Sequence, residues 1–205
     1  MPRFLYPLLP YRSFFAPFLI LSAITISCWV ITRLYVRRNQ EGRASFRREL
    51  LLLVTVVYLS GLAAATLTPG RSTRWRSEGF QLRVDRASLT CSSASLPQGS
   101  TAHSFCVRNA RGNFLLFIPL GFLLPLVWRR LRFGTALAIA VALSLSIEML
   151  QYVSQRWGVN RTADINDVVL NSLGALLGLA LVSLLRRGAG KSPMLPTHGA
   201  ARSHS

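Results

Sequence analysis

Five stretches of this chain are nearly free of charge. Residues 13–32, 50–70, 112–128 and 168–185 contain no Asp, Glu, Lys or Arg, and residues 133–155 contain only Glu148. A bilayer-spanning helix needs about 20 apolar residues. Helices packed in water would carry a polar face, and these stretches have almost none. The pattern predicts an all-α fold: a polytopic membrane bundle of about five transmembrane helices, near residues 14–32, 50–67, 113–128, 133–155 and 168–185. The third is short, about 24 Å long at ~1.5 Å per residue, and it is interrupted by Pro119 and Pro125.

Charge then orients the bundle. Of the 24 basic residues, 23 are Arg, and they sit in the connections between apolar stretches. Short connections rich in Arg stay in the cytoplasm. Residues 33–49 carry Arg33, Arg37, Arg38, Arg43, Arg47 and Arg48, and the Trp128–Arg132 connection carries three more. Both are therefore expected inside, which leaves the long loop 69–112 outside, the N-terminus out and the C-terminus in. The formal charge of +17 does not argue for nucleic acid, because such a binder gathers its basic residues on a folded soluble face; anionic membrane lipid is the expected partner. Arg3, Arg12 and Phe14–Thr25 have some features of a secretory signal, but the apolar run continues through Trp29–Ile31, so an uncleaved first helix is expected. The expected division is residues 1–49 (first helix and basic connection), 50–185 (membrane domain including loop 69–112) and 186–205 (a disordered, Pro/Gly/Ser-rich tail). Cys91 and Cys106 share the outer loop, where they form a disulfide if the compartment is oxidising or remain free thiols. Cys28 falls inside the first helix as inert packing. No zinc spacing and no His cluster is present, so no metal site is expected.

The polar residues inside the apolar stretches are few and ordered. Ser144, Glu148, Gln151 and Gln155 recur at i, i+4, i+7 and i+11, and Asp167, Asn171, Gly174 and Gly178 repeat the same spacing. Each set is one helical stripe. The connection between them is short, so the two helices are antiparallel neighbours whose stripes face each other near the outer surface. A carboxylate at Glu148 is costly in a membrane span and calls for a partner or a task. Arg161 is the cation in the connection that can reach back to it. Structural roles compete with functional ones: Asp164 and Asp167 have the spacing of helix-capping residues, Arg161 suits a headgroup anchor, Gln151 and Asn171 suit hydrogen bonds between helices, and Gly174 and Gly178 form a small-residue packing face.

In order along the chain, Asn113-Phe114-Leu115-Leu116-Phe117-Ile118-Pro119-Leu120-Gly121-Phe122, Glu148-Met149-Leu150-Gln151, Arg161, Asp164-Ile165-Asn166-Asp167-Val168 and Asn171-Ser172-Leu173-Gly174-Ala175 resemble the VanZ-like membrane proteins, and Thr66-Leu67-Thr68-Pro69 fits the end of that family's first helix. The resemblance covers about residues 50–185. It implies a bacterial inner-membrane protein and suggests a connection with resistance to the glycopeptide teicoplanin, since the family is named after a protein linked to that resistance; it supplies no mechanism and no cofactor. The expected site is an outward-facing pocket of Asn113, Glu148, Gln151, Arg161, Asp164, Asp167 and Asn171 that binds a lipid-linked or cell-wall-related ligand, with Arg161 meeting a phosphate or carboxylate. The rival reading is an intramembrane hydrolase or transferase acting on a lipid phosphate. There Glu148, Asp164 and Asp167 serve as general base or hold a hard divalent cation, but no Ser/His nucleophile pair or phosphate loop supports it. A transporter is disfavoured because no internal repeat is visible.

Overall fold

The computed structural model describes residues 12–39, 45–67, 80–92, 97–156 and 163–189. They form α1 (Arg12–Asn39), α2 (Phe46–Leu67), β1 (Phe80–Gln81), α3 (Arg86–Thr90), α4 (Thr101–Val127), α5 (Phe133–Gln155), β2 (Ala163–Asp164) and α6 (Ile165–Ala189). Five of these, namely α1, α2, α4, α5 and α6, are long and apolar enough to cross a membrane. Their outer faces carry Leu19, Ile20, Ile24, Leu115, Met149, Leu173, Leu177 and Leu184, all exposed. In water such a continuous apolar surface would be an anomaly; in hydrocarbon it is the ordinary lipid-facing side. Thr25, Thr32, Thr55, Ser60, Thr66, Ser146, Ser172 and Ser183 return their hydroxyls to the carbonyl four residues earlier, which satisfies those donors inside the span.

α5 coincides with its expected span, residues 133–155; the other four extend beyond their uncharged runs at one end or both, because the hydrophobic pattern marks what hydrocarbon covers and not where backbone hydrogen bonds stop. The difference is largest for the third. α4 starts at Thr101, where Ser100 Oγ accepts from His103 N at 3.1 Å, and it runs for 27 residues, so the expected short helix is a long one with a polar first third. Pro119 and Pro125 lie inside it without ending it, and Tyr58 Oη of α2 donates to Leu116 O at 2.6 Å, one turn before Leu120. Likewise α6 continues through Arg186 and Arg187 to Ala189, so the expected tail begins as helix; residues 190–205 lie outside the described residues.

The seam between α4 and α6 is the centre of the bundle. Asn109 pairs with Asp167 and Pro125 with Arg186, at sequence separations of 58 and 61, so the two helices run parallel and in register over most of their length. Glycines bring them together. A Cβ on Gly174 would strike Phe114 O, one on Gly178 would strike Ile118 O, and one on Gly121 would strike Ala175 O. Phe117, fully buried, and Leu120, Leu124, Ala175 and Leu179 fill the adjoining core with Leu62 of α2 and Ala136 and Ala140 of α5. α5 lies antiparallel to α6, and α1 lies outermost, packed on α2 through Gly61 against Phe18 and through Thr25 Oγ1 and Ser60 Oγ at 2.8 Å. At the end where α2 begins and α4 finishes, Arg33 Nε lies 3.1 Å from Glu49 Oε2 and its guanidinium sits over Trp29. Arg186 Nη2 donates there to Pro125 O at 2.5 Å, one of the carbonyls that a helix C-terminus leaves open.

Candidate functional site at the loop end of the bundle

At the opposite end α2 and α5 finish, α4 and α6 begin, and residues 80–92 pack across the gap. Glu148 lies on the last third of α5 and is 2% exposed. Its Oε2 accepts from the backbone N–H of Asp164 at 2.9 Å. This amide belongs to β2, which pairs in parallel with β1, Phe80 beside Ala163 and Gln81 beside Asp164. One turn beyond Glu148, Tyr152 meets Phe80 edge to face with ring centroids 6.1 Å apart. The loop therefore lies over the carboxylate from the polar side.

Asn166 joins the loop to the hairpin. Its backbone N and Nδ2 both donate to Asp164 Oδ1, at 2.9 and 2.8 Å, and its Oδ1 accepts from Asp85 N at 3.0 Å. Donors face one neighbour and the acceptor faces the other, so the amide orientation is dictated by its partners. Asp164, directly before α6, thus acts as its capping residue, as its spacing implied. Asp85 caps α3: its carboxylate accepts from Ala87 N, Ser88 N and Ser88 Oγ. The pKa values of the two aspartates move in opposite directions. Burial raises the pKa of Asp164, partly offset by the bonds from Asn166, and the Asp85 charge raises it further. The Ser88 hydroxyl, with the Ala87 amide next, holds Asp85 below the usual carboxylate range.

The remaining expected residues divide. Asp167 turns to α4, where its Oδ1 accepts from Asn109 Nδ2 at 2.9 Å. One turn deeper on the same two helices stand Asn113 and Asn171. Asn171, 2% exposed, donates through Nδ2 to Ser144 Oγ of α5 at 2.8 Å, while its Oδ1 has no hydrogen-bond partner; Asn113 Nδ2 is also buried without one. A donor from α4 and an acceptor from α6 are thus left open in the same layer of the seam, above the Gly174 contact. Gln151 faces elsewhere: its Nε2 donates to Thr66 O of α2 at 2.8 Å, meeting an open carbonyl at that helix's end, so it binds α2 to α5. Arg161 lies outside the described residues. Glu148, Asp164 and Asn171 share the buried end of the α5–α6 hairpin, with Asn113 and Asp167 at its α4 edge.

Three participants were missed at the level of sequence. Asn166 stands within the Asp164–Val168 motif, but in sequence it reads as a routine first-turn helix residue. Asp85 and Asn109 lie in the long loop and on the polar start of α4, where no periodicity marks them. Cys91 of the α3 C-cap and Cys106 of α4 form a disulfide, which decides between the two states left open above. Cys28 is exposed on the outer face of α1. Among the described residues no group of three or more His, Cys, Asp or Glu is arranged to hold a metal ion.

These features define a class: a multi-pass helical membrane protein with a polar cluster buried at one end of its bundle. The VanZ/LLP1 family model matches residues 53–186, and the chain belongs to that family. It is 36% identical over 77 residues to Protein VanZ of Enterococcus faecium, an alignment spanning 38% of this chain and 45% of that relative. The chain thus spans less than half the length of this curated relative. No solved structure matches the chain.

Proposed function

We propose that this VanZ-like protein resides in the bacterial cytoplasmic membrane with its N-terminus outside, and that the polar cluster at its outward end binds a lipid-linked or cell-wall-related ligand. Teicoplanin resistance is the physiological role that the family resemblance suggests. The observation that carries the binding reading is the open pair at the α4–α6 seam. Buried polar groups are nearly always hydrogen-bonded, and in a membrane interior an open one is expensive. Here a donor, Asn113 Nδ2 of α4, and an acceptor, Asn171 Oδ1 of α6, are both open in one layer, one turn inside the Asn109–Asp167 bond, with Asn171 on the same hairpin as Glu148. A group offering both an acceptor and a donor, such as a hydroxyl or amide of a headgroup, would complete them. The orientation draws support from charge: Arg33, Arg47, Arg48, Arg129, Arg130, Arg132, Arg186 and Arg187 all gather at the end opposite the site, as the positive-inside tendency requires of a cytoplasmic face. Arg161 enters this reading from its sequence position alone, as the cation that would meet a phosphate or carboxylate.

The test is mass spectrometry of lipids and cell-wall precursors that copurify with the wild type and with Asn171→Leu, each normalised to folded protein. A species retained by the wild type and lost from the variant is expected. Identical copurifying profiles would overturn the reading.

A further inference from the structure

We infer that residues 80–92 form a lid over Glu148, held shut by the Cys91–Cys106 disulfide, so that access to the buried carboxylate is gated by thiol–disulfide chemistry. This concerns entry to the site and holds whether or not the ligand reading does. Three observations place the lid. β1 runs alongside β2, the strand whose Asp164 amide covers Glu148. Phe80 sits on Tyr152, the residue one turn outward from Glu148 on α5. Asp85 N donates to Asn166, and Asp85 itself caps α3, which fixes the following turn to the same spot.

The ties between the lid and the hairpin are weak in kind. A parallel bridge of two residues per strand has no stability of its own, and among the described residues it is joined by the Asp85–Asn166 hydrogen bond, the Phe80–Tyr152 ring contact and the packing of α3 on α6. The covalent tie runs elsewhere. Cys91 ends α3 in the left-handed conformation with φ 52°, and the disulfide fastens it to Cys106 on the early part of α4; His103 Nδ1, on the same turn of α4, lies 3.1 Å from Cys91 O. Through this anchor α3 is held near Asn166 at high effective concentration. A dithiol reductant would open it by thiol–disulfide exchange: two electrons and two protons pass to the protein, the S–S bond becomes two S–H groups, and the reductant leaves as its own disulfide. After that the covalent tie is gone, and among the described residues non-covalent contacts alone oppose lifting of the lid, the His103–Cys91 contact included.

The probe is a water-soluble carbodiimide with a small primary amine, which converts a reached carboxylate into an amide while the carbodiimide takes up the elements of water as a urea. Full-length protein in lipid nanodiscs is treated before and after reduction with a dithiol, and in the Cys91→Ser/Cys106→Ser variant, and modification is quantified by peptide mass spectrometry. Glu49, buried at the far end of the bundle, serves as the internal reference. The expected result is at least a fivefold faster modification of Glu148 on reduction and in the variant, with Glu49 unchanged. Equal Glu148 rates in the bonded and reduced protein would overturn the lid, and so would a parallel rise at Glu49, which would mean loosening of the whole bundle.

Discussion

With three atoms Asn166 holds the loop, the cap of α6 and the Glu148 hairpin in one network. An acid at this position would lose the Nδ2 donor and place a second carboxylate against Asp164. Asn166→Asp is therefore expected to lower the thermal midpoint at pH 8 and to regain part of the loss on acidification. The sign follows from the neighbours. Asp164 already has a raised pKa from burial, so what it contributes to stability is present below its unfolded value and lost as pH rises through its folded one. Asp85, lowered chiefly by the Ser88 hydroxyl, behaves oppositely: its contribution is present above the unfolded value and lost as pH falls through the folded one. Carboxyl carbon NMR titration of the two aspartates checks this directly. Asp164 is expected to titrate above free Asp and Asp85 below it, and Asp85→Asn should bring Asp164 down. A rise or no change at Asp164 in that variant would refute the coupling. Glu148 was legible from sequence because a lone carboxylate in a 23-residue apolar run leaves few explanations. Its backbone partner was not, because an amide N–H is supplied by every non-proline residue and carries no sequence signal.

Among the elements, α4 and α6 show how far a pattern can be read. The glycine stripe at Gly174 and Gly178 foretold a close helix contact. What the pattern did not contain was the pairing. Both glycines, with Gly121 of α4, serve the α4–α6 seam, whereas the short connection between α5 and α6 had pointed to those two as the facing pair. The same stripe in fact serves both neighbours, Asn171 bonding to α5 while Gly174 and Gly178 meet α4. Gly174→Ala puts a methyl group into Phe114 O, backbone that does not swing aside. Overpacking of this kind costs about 1–3 kcal/mol, so Gly174→Ala should be visibly destabilised in steric-trap or thermal unfolding in detergent. Gly188→Ala, with nothing near its added Cβ, should not. Equal stabilities would contradict the seam. The long start of α4 was illegible for a different reason: Thr101–Gly112 is polar, and a search for hydrocarbon-spanning runs passes over helix that stands clear of it.

For the whole molecule, the number of spans was recoverable because a bilayer imposes a length on each of them, and the bundle's orientation rests on where Arg collects. That orientation makes a prediction of its own. A cysteine introduced at Leu82, an exposed lid position, should react with a membrane-impermeant maleimide in intact cells, and one at Arg130 only after the cytoplasmic membrane is permeabilised; the reverse pattern would invert the protein. The central claim, that the buried end of the hairpin is there to bind and not merely to hold α5 against α6, is tested most directly by Glu148→Gln. Glutamine keeps a carbonyl oxygen for the Asp164 amide while it removes the charge and replaces the second carboxylate oxygen by an NH2 donor. The decisive measurement is the amount of copurifying ligand per folded molecule, wild type against Glu148→Gln, in protein extracted from the same membranes. The account predicts a variant folded to the wild-type level with the ligand lost; a variant that is depleted from the membrane but binds normally per folded molecule would make Glu148 a structural residue and contradict it.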